Sequence, residues 1–312
     1  MSIAIVYHLY KNSKTIEESL QSLLNQTDHD FELMLVNDGA TRTVTQELKK
    51  FDLAKFKHVT YYKWNQNVGH SLSFNKAIQD TQATHIHYSG SNVIFDKNFV
   101  KNMNAVITKH KPDVISFNKV KNDGSVQIFT KNTLKMNLML LPSMKDKIFK
   151  TSLLKDNNIY LDETAYLPLV FIYKILNAYK KWIIFDGVIA EFHQIKFYTY
   201  NLYDIFEQND YLINNYRETK FWKSISDFIE FCMIIYIIDI FIPRIFNTYT
   251  DKSIRKQAIY KSQAWLDKNI PQWRKNKIMN SNKNTNPGLF NKFKKVKFSL
   301  FFFAKFIKQN KK

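Results

Sequence analysis

Residues 10–41 read YKNSKTIEESLQSLLNQTDHDFELMLVNDGAT, and the order of helix and strand inside them decides the fold. Ile16, Leu20, Leu23 and Leu24 recur at helical spacing, which predicts a helix over 15–25 with Ser13 available as its cap. FELMLV at 31–36 is an unbroken apolar run, as expected of a strand buried on both faces. It closes in Asn37-Asp38-Gly39, a turn sequence. Upstream, residues 3–8 (IAIVYH) read as a first strand. Strand, helix and buried strand in that order make a right-handed βαβ unit and hence a parallel sheet.

The alternation continues outward. Further helices are predicted over 44–51, 71–81 and 99–110, and further strands over 58–63, 84–88 and 113–117. The fold class that follows is α/β, a mostly parallel sheet flanked by helices. Ligands on such sheets bind beyond the carboxyl ends of the strands, so the loops after strands matter most. From 119 to 194 the pattern is less regular, with a strand at 126–129, a helix at 166–176 and a strand at 182–185. Beyond 197 it turns helical and aromatic. Residues 228–242 are strongly apolar, but Glu230 and Asp239 interrupt them and Pro243 is expected to end the helix. The uncharged part falls short of the ~20 residues that span a bilayer, which predicts a buried helix. The expected organisation is a ligand-binding domain over 1–195, a helical accessory region over 196–280 and a basic tail over 281–312.

With 45% hydrophobic and 15% aromatic residues, the 312-residue chain can build a large core. Six glycines and six prolines exclude a low-complexity chain. Cys232, the single cysteine, excludes an internal disulfide and a thiolate zinc site; it reads as a buried filler in a reducing compartment. Met1-Ser2 leads straight into a strand and not a secretory signal, so a cytoplasmic location is expected.

Charge is unevenly placed. From Asp251 onward there are 17 lysines and arginines against two acids, whereas the first 250 residues hold 29 against 25. The final stretch, from Leu289 to Lys312, reads LFNKFKKVKFSLFFFAKFIKQNKK, with phenylalanines and lysines interleaved. As a helix it would lie in a membrane interface, rings buried and lysines on anionic headgroups. A solvated helix packing its rings on the body is the plainer alternative. Nucleic acid is the weaker partner, because no binding motif accompanies the charge.

Two blocks carry a family resemblance. The opening block at 10–41 and NVGHSLSFNKAI at 67–78 resemble the family 2 glycosyltransferases of the GT-A fold, in the expected order and spacing. The resemblance implies a Rossmann-like nucleotide-sugar domain. It implies that Asp38 accepts hydrogen bonds from a uracil edge, against the plainer reading of a turn residue. Tyr10 would pack on the base or simply in the core. Gly69 would let the backbone approach the nucleotide, and Asn67 and Asn75 would hold that loop or touch ribose.

The departures concern catalysis. After the fourth strand the family carries an Asp-x-Asp-type cluster for a divalent metal (Mg²⁺ or Mn²⁺) that neutralises the diphosphate. Here Ser89, Gly90, Ser91 and Asn92 stand in those places, and none is anionic. Phe74 replaces an arginine that can meet phosphate. The family's base position falls at Leu167-Pro168, with Asp162 and Glu163 as substitutes if the loop has shifted. His85 and His87 share a strand face, and this His-x-His pair with Asp96 offers an unorthodox metal site; packing and helix capping are the plainer readings.

The resemblance therefore implies transfer from a uridine-diphosphate sugar to a glycan or lipid, in polysaccharide or glycolipid synthesis. An active member would invert the anomeric centre, and the basic tail would hold this chain peripherally on the inner face of the cell membrane. The alternative is an inactive paralogue that regulates or anchors a partner glycosyltransferase.

Overall fold

Apolar residues fill both faces of the first strand, β1 (Ile3–Leu9), and of β2 (Phe31–Asp38), as a strand covered by helices on each side requires. The helix α1 (Ile16–Leu24) joins them, and they pair in parallel with Ile3 opposite Phe31. The computed structural model describes residues 2–10, 15–118, 125–130, 143–162, 168–187, 190–192 and 202–278.

After β2 come α2 (Arg42–Lys49) and β3 (Val59–Trp64), whose alternately exposed residues mark it as the sheet edge. Then follow α3 (His70–Asp80), β4 (His85–Gly90), β5 (Val93–Phe95), α4 (Phe99–His110), β6 (Val114–Asn118) and β7 (Ser125–Thr130). The first unit is completed by β8 (Lys147–Lys150), α5 (Thr151–Asp156), α6 (Leu169–Ala178), β9 (Lys181–Asp186) and β10 (Ala190–Phe192).

Eight strands form one sheet in the order β3-β2-β1-β4-β8-β6-β9-β7, and β5 pairs with β10 in a separate ribbon. The half from β3 to β4 is wholly parallel. Beyond it β8 runs antiparallel between β4 and β6, and β7 antiparallel to β9. Strand β8 is absent from the sequence expectation, and it is what joins the two halves. Ile3, Ile5 and Tyr7 pack with Leu20, Leu23, Phe99 and Met103 of α1 and α4 in one buried cluster. A second set of aromatics joins α3 to α6 and β8: Phe74 lies 6.2 Å from Phe171, which lies 5.4 Å from Phe149. Phe74, at the family's arginine position, is thus a core residue with no exposed surface.

The chain divides into two compact units, residues 1–198 and 199–312. Within the second, α7 (Asp204–Tyr216), α8 (Lys220–Ser224), α9 (Ser226–Ile235), α10 (Ile242–Thr248) and α11 (Lys252–Asn269) pack around Phe206, Phe241 and Trp265. Pro243 does not end its helix. A π-helical segment, Tyr236–Phe241, carries α9 into α10, with the proline at the start of the new turn. The wider turn accommodates both the missing N–H and the ring that would clash with a carbonyl in a regular α-helix. Cys232 is buried there, and burial pushes its thiol well above the ordinary range, so it is an inert filler. No helix among the described residues is long and apolar enough to cross a membrane. The tail from Leu289 to Lys312 lies outside the described residues.

Candidate functional site

Parallel register brings the carboxyl ends of β1, β2 and β4 side by side: Leu9 stands opposite Asn37, and His8 opposite Gly90. The loops that leave these ends make the site. Asp38, the last residue of β2, has no exposed surface and accepts four hydrogen bonds. Its Oδ2 takes the Asn67 amide at 2.6 Å, the Gly69 N–H at 3.0 Å and His8 Nε2 at 2.9 Å; its Oδ1 takes the Val68 N–H at 2.6 Å. The carboxylate is therefore the post around which the 67–69 loop is wound.

Two glycines make that winding feasible. A Cβ on Gly39 (φ +58°) would lie 2.4 Å from the Asn67 backbone nitrogen, so the two loops pack backbone on backbone. Gly69 (φ +90°) turns the chain into α3, with open space around it. Asn37 braces the corner, donating to the Tyr61 hydroxyl and accepting the Ala40 N–H, each at 3.0 Å. Tyr10 is half-buried at the bend after β1, its carbonyl accepting the Thr41 N–H at 3.4 Å.

Asn75 has a different role from the one expected. Its amide donates to the Leu161 carbonyl and accepts the Leu161 N–H, both at 2.9 Å, clamping a segment 86 residues away onto α3. Asp162 follows directly and is exposed. Glu163 and Leu167 lie outside the described residues, and Pro168 caps α6.

Sequence reasoning missed three basic groups at this end of the sheet: His8, His70 and Lys145. Lys145 Nζ donates to Asn92 Oδ1 at 3.3 Å. His70, first residue of α3, is held neutral near pKa 4, chiefly by burial and further by the nearby charges of His8 and Lys145, with Asp38 opposing. The His70 ring lies 6.3 Å, and the His8 ring 6.1 Å, from that of Tyr88. The only available sequence clues were that His8 ends a strand and that His70 follows a loop glycine. For Lys145 there was none.

The histidines that were considered as metal ligands are structural. His87 is buried among Phe95, Phe99 and Phe117, and its Nδ1 bonds the Lys147 carbonyl at 2.9 Å. His85 Nε2 donates to the Pro112 carbonyl at 2.8 Å. Asp96 accepts the Asn98 N–H at 2.8 Å and thereby shapes the start of α4. Among the described residues no three of His, Cys, Asp and Glu come together as a metal would need.

His87 has a consequence for stability. Burial lowers its pKa from 6.5 to about 4. Between those values the unfolded chain binds a proton that the folded chain refuses, so stability falls as pH drops through that window. The loss approaches about 3 kcal/mol by pH 4. Urea melts at pH 7, 5.5 and 4.5 check it, and His87→Leu is expected to remove this share of the dependence and leave that of His70.

The sheet order and the strand-end site define a GT-A, Rossmann-like nucleotide-sugar fold. The family model described as "Glycosyl transferase family 2" matches residues 2–164, and the chain belongs to that family. Among curated relatives, a poly(ribitol-phosphate) beta-N-acetylglucosaminyltransferase, TarS of Staphylococcus aureus, is 27% identical over 172 residues. That match covers 52% of this chain and 30% of TarS. Glycosyltransferase GlyA of Streptococcus pneumoniae is 21% identical over 212 residues, covering 57% of this chain and 30% of GlyA. The chain thus spans about 30% of the length of these relatives. The crystal structure of S. aureus TarS 1–349 superposes with a TM-score of 0.70 at 18% identity, over 94% of this chain and 88% of that one. The same fragment in complex with UDP-GlcNAc gives 0.69 at 17% identity, again over 94% and 88%.

Proposed function

We propose that this chain transfers a sugar from a uridine-diphosphate sugar to a hydroxyl of a glycan or lipid acceptor. The observation that carries it is the loop at 67–69, wound on Asp38 at the strand ends inside the region the family model matches. Support comes from TarS, whose fragment has been crystallised with UDP-GlcNAc and with UDP. In the step proposed, the acceptor oxygen bonds the anomeric carbon while the carbon–oxygen bond to the diphosphate breaks. The electron pair leaves on uridine diphosphate, and the hydroxyl proton passes to a carboxylate. Asp162 is the described candidate for that base, with Glu163 beside it in sequence. A single displacement of this kind inverts the anomeric centre.

Asn67 and Gly69 would border the nucleotide, Tyr10 would flank it, and Asp38 would act through the loop it holds. The basic tail from Leu289 to Lys312 would hold the enzyme on an anionic membrane face, each lysine near the surface adding about 1 kcal/mol.

The neutral Ser91-Asn92 pair favours a second reading, an inactive paralogue that binds and regulates an active glycosyltransferase. Melting temperature measured with uridine diphosphate, beside turnover of UDP-GlcNAc and other UDP-sugars and co-sedimentation with anionic vesicles, separates these readings. A nucleotide-dependent rise with turnover supports the enzyme. A rise without turnover supports the paralogue, and no rise sinks both donor-binding claims.

A further inference from the structure

The loop after β4 is where the family resemblance implies a divalent metal, and the residues present do not fit one. Ser89, Ser91 and Asn92 offer only neutral oxygens, whereas affinity for a hard cation rests on ligand charge. These groups are also engaged. The Ser91 carbonyl accepts the Thr15 hydroxyl, Ser89 Oγ donates to the Gly90 carbonyl, and Asn92 Oδ1 accepts Lys145 Nζ. A Cβ on Gly90 would lie 3.1 Å from Asn92 Oδ1 and 3.7 Å from Lys145 Nζ, so the amine rests against the loop itself. An ammonium there repels a second cation at close range.

The same amine suits an anion. Lys145 is partly buried and makes no ion pair among the described residues; its hydrogen bond goes to a neutral amide, leaving two N–H donors. Asp38 makes no ion pair with it: its carboxylate oxygens bond His8 and the 67–69 loop. Burial lowers the pKa of Lys145, as expected of a cation without a counter-charge. At the same end of the sheet, the first turn of α3 supplies backbone N–H groups, which favour negative charge. Ser71, in that turn, is 2% exposed and its hydroxyl has no partner among the described residues. The His70 and His8 rings lie 6.3 and 6.1 Å from that of Tyr88, which puts the start of α3 and the end of β1 beside the strand that leads into this loop.

We propose that Lys145 takes the place of the divalent metal: its ammonium and the first turn of α3 hold the diphosphate of the sugar nucleotide, and donor binding needs no divalent cation. This rests on the nucleotide-sugar reading above. It differs from the metal-dependent scheme the resemblance implied, and it accounts for the loss of the carboxylates without loss of the donor site.

The test is calorimetric titration of the full chain with uridine diphosphate, in EDTA and in manganese, with uridine as the ligand that lacks phosphate. The expected dissociation constant for uridine diphosphate agrees within about twofold between EDTA and manganese. Lys145→Met should weaken uridine diphosphate about 10- to 100-fold, the range of a lost charge-assisted hydrogen bond, and leave uridine unchanged. Lys145→Arg should retain most of the affinity, and uridine binding by each variant reports that it is folded. Binding that requires manganese, or a Lys145→Met variant that binds uridine diphosphate like the parent, overturns the inference. Uridine bound normally with uridine diphosphate no tighter also overturns it while leaving a nucleoside site in place. Failure of the parent to bind either ligand overturns the nucleotide reading and this inference with it.

Discussion

Asp38→Ala is expected to cost about 4 kcal/mol of folding stability, within the 3–5 kcal/mol typical when one partner is removed from a buried charged network. Four donors converge on this carboxylate, from the His8 ring, the Asn67 amide and the Val68 and Gly69 backbone. Truncation leaves them facing one another around a void, and each unsatisfied buried donor costs about 1–3 kcal/mol before water enters. Asp38→Asn should not rescue the site. The carboxylate presents acceptors only, and an amide must turn an NH₂ towards at least one of the four donors. A loss of roughly 3 kcal/mol is therefore expected of the isosteric change as well. Urea unfolding of the two variants checks this directly. A loss below about 1 kcal/mol for Asp38→Ala would mean that the loop stands without its post.

That network shows what the sequence could and could not reveal. The run FELMLV and the helical spacing of Ile16, Leu20 and Leu23 announce β2 and α1 because burial imposes local periodicity, and the structure places both there. Gly39 and Gly69 stand out because so few glycines occur in the chain, and both have the positive φ that glycine tolerates. Strand β8 is different. It is four residues long and flanked by lysines, and one of them, Lys147, is buried with its amine on the Ser143 carbonyl and the Asp146 carboxylate. No local pattern predicts a buried lysine in a central strand; a long-range pairing does.

The same distinction governs the site. Asp38 and Gly69 were legible because they sit inside contiguous motifs. Lys145 became a neighbour of Asn92 only because β8 runs back alongside β4, 53 residues later in the chain than that asparagine. In a chain with 46 lysines and arginines, no single one announces itself. The histidines misled for the opposite reason. Alternation put His85 and His87 on one strand face, but that face is interior, and the ring nitrogens of both meet backbone carbonyls. Their polarity is absorbed by packing. A residue type capable of chemistry is informative only when its surroundings leave it something to do.

Asp162 is placed differently from the histidines, at the surface. Its neighbour Leu161 is clamped at both its N–H and its carbonyl by Asn75, so the Asp162 backbone is fixed relative to α3 although its side chain remains exposed. Asn75 lies five residues along α3 from His70, which corresponds to ~7.5 Å of helix rise. The clamp therefore ties the Asp162 backbone to the helix whose first turn is proposed to grip the diphosphate. This exposed carboxylate is the base proposed for the acceptor hydroxyl. Asp162→Asn is expected to lower turnover about 10²- to 10⁴-fold, the usual contribution of a general base, with the dissociation constant for uridine diphosphate unchanged. Asn75→Ala should act through position alone, reducing turnover less while Asp162 keeps its charge. Turnover by Asp162→Asn within about threefold of the parent would move the base elsewhere, with Glu163 next to be changed. Turnover absent from the parent while uridine diphosphate still binds would turn the same geometry into that of a regulatory paralogue, in which the clamp shapes a binding surface and no proton is transferred.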